Sequence, residues 1–471
     1  MRNERALGLD ALRGFAILTM FLSGLIPFGV LPDWMYHAQV PPPQHVFNPN
    51  LPGITWVDLV FPFFLFSMGA AIPLALSRRL EKNPPIWKTL IRILQRGFLL
   101  AFFAIYVQHL RPYTLNSEPT SITWLHSLFA FLVLFAIFYR FPSSWNKNIK
   151  LFVRIVGWLT AILLLYFVSY PDSNKLGTGF SLYRSDIIIL ALANVVVSGS
   201  IIWWLTRNNL LVRLGLLGIL LGIRLSHFEP GWIKFLWDNS PLPWLGNLYF
   251  QQYLFIIIPG TIAGDLLLSW LKNSSEEKSE IIHSQKFILP LFTMASIIIA
   301  ALVGLKARWV LETTIGIALL CWLSIWLFSK PNTEIERLFK QLMSWGVYWL
   351  ILGLVFEAYE GGIKKDRATV SYYFVTSGLA VCFLIGSMII INIFKKEKWL
   401  KLLIDTGQNP MIAYAGITNL LPPLLGLSQI DRLMRTILYT PWLGAFGGLL
   451  KTLLLGYIVS IFTKNKIFWR T

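Results

Sequence analysis

Apolar runs of about 18 or more residues recur along the whole 471-residue chain, and each is long enough to cross a bilayer core of roughly 30 Å as a helix. No other feature constrains the fold as strongly, because a helix satisfies its own backbone hydrogen bonds in lipid. The breaks between runs are short, polar and rich in Pro, Gly, Lys and Arg. With 55% hydrophobic residues and a mean hydropathy of +0.61, a soluble fold could not hide the apolar surface. No stretch reads as a soluble domain. The sequence therefore predicts one membrane domain over residues 1–471, an all-α polytopic transmembrane bundle of about 12 to 14 helices. The runs fall near 8–30, 55–76, 97–110, 122–139, 151–170, 186–205, 210–225, up to 271, 287–305, 309–328, 342–356, 371–394, 405–425 and 437–462. Those at 97–110, 210–225 and 342–356 are short for a span. No internal repeat is visible, which argues against an inverted-repeat transporter.

The net charge of +18 suggests nucleic acid until the placement of the cations is considered. They cluster in alternate loops, as the positive-inside rule requires. The first loop after the second run carries Arg78, Arg79, Lys82, Lys88, Arg92 and Arg96, and the tail carries Lys464, Lys466 and Arg470. This predicts a cytoplasmic N-terminus and no nucleic-acid partner. Arg2 and Arg5 precede the first apolar run, but no small-residue cleavage site follows, so the first helix is expected to stay uncleaved. Cys321 and Cys382 both lie inside apolar runs, with no disulfide framework and no metal-type spacing; no metal site is expected.

Chemistry concentrates in the first 80 residues. Asp10 and Arg13, three apart on one helix face, read either as an interfacial ion pair or as a polar anchor at an inner cavity mouth. Gly14 beside them permits close helix packing. The outer loop at 31–54 contains Trp34-Met35-Tyr36-His37-Ala38-Gln39, then Pro41-Pro42-Pro43-Gln44-His45. Its prolines stiffen it. His37 and His45 are its only side chains that titrate near neutral pH, and either one reads as a general base or as a solvated loop histidine. Asp58 opens the second helix at a depth where an unpaired acid is costly. It reads equally as a partner for a histidine and as a helix-start acid favoured by the macrodipole. Pro62 and Pro73 are placed to kink that helix. Elsewhere the bland reading leads. Trp232, Trp237 and Trp244 in the loop at 227–247 read as an interfacial belt before a sugar-stacking floor, and Glu357 and Glu360 as a solvated helix end before an ammonium site. His109, His126, His227 and His283 read as interfacial or loop polar residues.

The order Asp10-x-x-Arg13-Gly14, His37-Ala38, then Asp58-Leu59-Val60-Phe61-Pro62-Phe63-Phe64-Leu65-Phe66-x-Met68-Gly69 resembles the heparan-α-glucosaminide N-acetyltransferase family of transmembrane acyltransferases, in a bacterial branch. The likeness is strong over about residues 7–80. It echoes weakly at Ile363-Lys364-Lys365, at Val375-Thr376-Ser377-Gly378-Leu379 and at Gly407-Gln408-Asn409-Pro410. The resemblance implies transfer of an acetyl group from cytosolic acetyl-CoA to an amino sugar or glycan across the membrane, with a histidine of the first outer loop as the catalytic residue. His37 matches the family's aromatic-x-His-Ala context, while His45 lies closer in spacing to the second helix; both remain candidates. Asp58 and Asn409 match family positions, although Asn409 before Pro410 also reads as a helix break with a capping residue. The large luminal region of the lysosomal enzyme has no counterpart, so a different acceptor is expected.

An acyl-CoA carries phosphates that cannot enter lipid, so it would dock on inner cations: Arg13, Arg78 and Arg79, with Lys88, Arg92 and Arg96 as further candidates. Its expected partners are the bilayer and the acceptor, with a homodimer left open, and its expected location is a bacterial inner membrane. A transporter or flippase for a glycan or lipid-linked precursor is the rival reading. It would use the same polar cavity without needing a histidine.

Overall fold

The structure, a computed structural model, describes residues 6–171, 177–239, 246–273 and 284–471. The long helices are α1 (Leu7–Leu25), α2 (Trp56–Leu80), α3 (Ile86–His109), α4 (Ser121–Phe138), α5 (Lys147–Phe167), α6 (Ile187–Thr206), α7 (Leu210–Ser226), α8 (Leu254–Asn273), α9 (Ile288–Lys306), α10 (Val310–Leu327), α11 (Glu334–Val355) and α12 (Val370–Met388). A broken series follows: α13 (Lys401–Gln408), α14 (Pro410–Ala415), α15 (Leu421–Leu427) and the long α16 (Pro441–Lys464). Among the described residues thirteen helices are long and apolar enough to cross a membrane. The protein is a multi-pass helical membrane protein, as the apolar runs require.

Helix boundaries depart from the apolar windows where charge is involved. α2 runs on to Leu80 and α3 begins at Ile86. The cations Arg78, Arg79, Lys88, Arg92 and Arg96, expected in a loop, therefore ride on helices, and only Lys82 of that set lies in the connection. Long cationic side chains keep their heads in water while their stems cover apolar surface, so a helix can outlast its hydrophobic window. For the same reason α3 reaches 24 residues, and α11 begins at Glu334, where Thr333 accepts from the Glu336 N–H. Both Pro62 and Pro73 are accommodated inside a continuous α2. Most of the expected run at 405–425 is the candidate span Pro410–Leu427, in which a π-helical turn over Gly416–Leu420 joins α14 to α15, while α13 is set off by the break at Asn409; α7, the expected run at 210–225, is not among the thirteen. Of the hydrophilic loop expected over 272–286, residues 274–283 lie outside the described residues, His283 among them.

The described chain sorts into two compact units interleaved along the sequence. The first holds Met1–Ile86, Ser198–Lys234 and Gln252–Gly407; the second holds Trp87–Val197, Phe235–Gln251 and Gln408–Thr471. In the first unit α12 is the central helix: 89% of its span window is buried, against 22% for the peripheral α10. Small residues allow close approach around it. A Cβ on Gly378 would lie 2.4 Å from Leu350 Cγ, and one on Gly353 would lie 2.5 Å from the Val375 nitrogen, so α11 and α12 meet backbone to backbone. In the second unit the C-terminal tail folds back. The Arg140 N–H donates to Phe468 O and the Arg470 N–H to Phe138 O, which docks Trp469 against Phe131, Phe135 and Phe138.

Candidate functional site

The first unit has two polar ends. At one, α1 crosses α13 through a glycine pair. A Cβ on Gly14 would lie 1.9 Å from Leu403 O, and one on Gly407 would lie 1.8 Å from Asp10 O. Arg13 reinforces this crossing, donating to Gly407 O at 3.2 Å and to Ser67 O at 3.3 Å, with Asp10 Oδ1 3.6 Å away. Ser387, near the end of α12, donates to Gly8 O at the same end. The 19 residues of α1 then climb roughly 28 Å, which carries the Pro-rich loop to the opposite end. There the loop, the start of α2 and the segment joining α11 to α12 come together.

The loop is held by its own polar groups. Tyr36 Oη donates to Pro27 O at 2.7 Å and accepts from the Leu31 N–H at 3.0 Å, closing the chain on itself. Gln39 is completely buried. Its amide accepts from the Asp366 N–H at 2.7 Å while donating to Asp366 O at 3.0 Å and to Pro49 O at 3.1 Å. The Gly53 N–H donates to Ile363 O at 2.8 Å. Two sequence-distant loops are thus paired like strands by one glutamine and one glycine.

His37 sits between three charged side chains. Its Nδ1 lies 2.9 Å from Asp58 Oδ1, and its Nε2 is bonded to Asp366 Oδ2. Asp58 is fully buried, and its two oxygens do different jobs. Oδ2 accepts from the Thr55 N–H at 2.8 Å and the Ala38 N–H at 3.3 Å, as the acid of a capping box at the start of α2. Oδ1 faces His37, with Lys365 Nζ 3.6 Å away. The helix-start acid and the histidine partner read from the sequence are therefore one carboxylate, one oxygen each. Tyr372, fully buried on α12, donates to Asp58 O at 2.6 Å and fixes the α2 start against the central helix.

Burial by itself would lower the His37 pKa. The hydrogen bonds to Asp366 and then Asp58, with the Asp58 charge, outweigh it and leave His37 raised above its ordinary value, with Lys365 opposing. Asp366 is pushed up by burial, but the His37 hydrogen bond and charge, then Lys365, bring it below the ordinary carboxylate value. The pair is thus poised as imidazolium and carboxylate. Nδ1 lies between the buried Asp58 Oδ1 at 2.9 Å and the Gln39 N–H at 3.4 Å, whereas Asp366, with 43% of its side chain exposed, is the partner that an incoming group can displace from Nε2.

Asp366 and Gln39 were not singled out in the sequence. Asp366 stands in the run Lys364-Lys365-Asp366-Arg367 immediately before the most buried span, and that charge cluster is the one local signal it leaves, with nothing in it to name His37 as the partner. Glu357 and Glu360 are not a solvated helix end. Glu357 is buried, accepts from Arg308 at 2.5 Å and holds the Ile363 N–H. Glu360 accepts from Arg224 at 2.6 Å and caps the Val370 N–H at the start of α12. Both acids anchor the Asp366 segment, because an acid taken out of water needs a partner.

His45 lies apart from these carboxylates. Its ring packs 4.2 Å from that of Phe28 and 4.7 Å from that of Tyr36, and no described residue hydrogen-bonds either ring nitrogen. Arg78 and Arg79 occupy the exposed last turn of α2. Asn409, in the second unit, donates to Ile467 O at 2.6 Å and accepts from the Trp469 N–H at 3.4 Å, which ties the C-terminal tail to the break before α14. Trp232 is exposed on the short helix Trp232–Asp238, and Trp244 lies outside the described residues. Among the described residues no cluster of three or more His, Cys, Asp or Glu could hold a metal. The family model described as a domain of unknown function (DUF5009) matches residues 5–267. No curated protein matches the chain.

Proposed function

The chain belongs to the DUF5009 family, and we propose that it is a membrane-embedded acyltransferase moving an acetyl group from cytosolic acetyl-CoA to an amino sugar or glycan on the far side of the membrane. The observation that carries this reading is His37, with Nδ1 held by a buried acid and Nε2 facing an acid that can be displaced. An acceptor amine or hydroxyl taking the place of Asp366 would meet Nε2, which removes its proton when the ring is in its neutral form with the proton on Nδ1. Asp58 would orient the ring and stabilise the imidazolium that forms. The freed nucleophile attacks the thioester carbonyl, and the CoA thiolate leaves and is reprotonated. The protein's contribution is placement plus proton removal, with Lys365 close to the developing charge.

The same reading places the His37 end on the periplasmic side of a bacterial inner membrane and the Arg13 end, with Arg78 and Arg79, in the cytoplasm as the docking face for CoA phosphates. The charge pattern supports this orientation. Arg13 itself is engaged by the backbone of α2 and α13, and Arg78 and Arg79, exposed in the last turn of α2, are the cations that an incoming phosphate would reach.

The test is release of free CoA from acetyl-CoA by the purified protein, with and without a panel of amino sugars and oligosaccharides. His37→Ala is expected to abolish acceptor-stimulated release. His45→Phe, which keeps an aromatic ring between Phe28 and Tyr36, is expected to retain it. Loss of release in His45→Phe with retention in His37→Ala would overturn the assignment, and absence of both release and acetyl-CoA binding by folded protein would overturn the function.

A further inference from the structure

The turn that ends α11 carries features the transfer chemistry does not use. Tyr359–Gly361 forms a single tight turn, and Gly361 and Gly362 both adopt left-handed backbone, with φ of +73° and +92°. Cations crowd the space that side chains would fill there. A Cβ on Gly361 would come 3.3 Å from Lys364 Nζ, and one on Gly362 would come 2.7 Å from Pro52 Cβ, 3.0 Å from Arg308 Nη2 and 3.2 Å from Glu357 Oε1. Only glycine fits this close approach and reaches these angles without strain.

The cations are not fully neutralised by neighbours. Arg308 gives Nη1 to Glu357 at 2.5 Å, which leaves Nη2 over the Gly362 backbone. Arg224 gives Nη2 to Glu360 at 2.6 Å. Lys364 is more than nine-tenths buried, and no described side chain or carbonyl pairs with its ammonium. Together the cations Arg224, Arg308 and Lys364 face two acids, Glu357 and Glu360, which leaves the turn with one positive charge in excess.

The surroundings decide what kind of anion fits. Arg308 lies in the two-residue turn between α9 and the capping residue of α10, two consecutive membrane spans, and therefore stands at the level where a span meets water. Trp309 beside it is 60% exposed, Tyr359 is 44% exposed, and Val355 and Leu311 are both largely exposed. Amphipathic aromatics beside cations at span ends mark the headgroup region, and basic pockets between membrane helices bind lipid headgroups. We propose that the Gly361–Gly362 turn, with Lys364 and Arg308, is a binding site for the phosphate of a membrane phospholipid whose acyl chains lie along the exposed faces of α10 and α11. The site stands whether or not the protein transfers acetyl groups. It also sits on the segment that carries Asp366, at most about 7 Å of backbone from Lys364, so lipid occupancy would steady one wall of the His37 site.

The experiment uses the full-length protein purified in uncharged detergent. Its melting temperature and lipid retention in native mass spectrometry are measured with short-chain phosphatidylglycerol, with diacylglycerol of the same chains, and with inorganic phosphate alone. Phosphatidylglycerol is expected to be retained and to raise the melting temperature, with the other two far weaker. Lys364→Gln is expected to weaken retention about fivefold, in keeping with one cation at a membrane surface, and Lys364→Arg to restore it. Equal effects of diacylglycerol and phosphatidylglycerol on the wild-type protein would overturn the phosphate site, even if Lys364→Gln failed to fold. Equal protection by inorganic phosphate would overturn the lipid assignment. Unchanged retention in a folded Lys364→Gln protein would overturn the role of Lys364.

Discussion

Replacing Asp58 by Asn separates its two roles, because the two oxygens have different partners. Oδ2 serves two buried N–H donors, Thr55 at 2.8 Å and Ala38 at 3.3 Å, while Oδ1 faces His37 Nδ1 at 2.9 Å. In Asp58→Asn the amide oxygen must stay on the Thr55 and Ala38 side. Turned the other way, the amide group would confront both donors and leave them unsatisfied at about 1–3 kcal/mol each. The NH₂ then points at Nδ1 and donates to it, which moves the neutral ring's proton to Nε2. A ring with its proton on Nε2 cannot take one from an acceptor there. The same isosteric change in a Ser-His-Asp triad costs about 10⁴-fold in rate, and a loss of that order is expected in acceptor-stimulated CoA release. Stability should barely change, since the helix cap survives. Asp58→Ala instead strips both donors of their acceptor, at roughly 2–6 kcal/mol, and should lower the melting temperature markedly. The assay pairs CoA release with thermal unfolding for both variants. An Asp58→Asn protein that keeps more than about a tenth of wild-type activity would refute the orienting role, leaving Asp58 as a helix cap alone.

Asp366→Asn replaces the carboxylate hydrogen bond that raises His37 by a weaker one to a neutral amide, so burial regains weight and the His37 pKa falls. The neutral ring is the active form. The wild-type rise of activity with pH should therefore lie above the ordinary histidine value of 6.5 and should move to lower pH in the variant, read from a pH profile of CoA release; a shift to higher pH would contradict the geometry. Gly407→Ala drives a methyl into Asp10 O and should destabilise the protein by about 1–3 kcal/mol or more, whereas Gly24→Ala, which meets nothing within 4 Å, should leave the melting temperature unchanged or slightly higher. Trp469→Ala empties the aromatic seat of the C-terminal tail, where the indole is 1% exposed, at about 3–5 kcal/mol; an unchanged melting temperature would show that the tail is not part of the folded second unit.

The sequence alone determined the fold class and nearly every span. An apolar run of bilayer length has one way to satisfy its backbone in lipid, and that constraint is local. It also marked His37, His45 and Asp58, because a titratable group beside a span is conspicuous. What it left open was which histidine meets the acid. His37 and His45 are eight residues apart in one loop, and local patterning treats them alike. Tertiary structure distinguishes them: Thr55 and Tyr36 fold the loop so that His37 faces Asp58, while His45 turns into the rings of Phe28 and Tyr36. Asp366 was out of reach for a different reason. It stands 329 residues from His37 in the chain, and Gln39 and Gly53 bring it there by bonding to backbone, a pairing that depends on main-chain geometry and leaves little trace in residue type. The same holds for the ends of α2, α3 and α11, where long cationic side chains let helices outrun their hydrophobic windows, so the boundary is set by where the side chain reaches water and not by where the apolar residues stop.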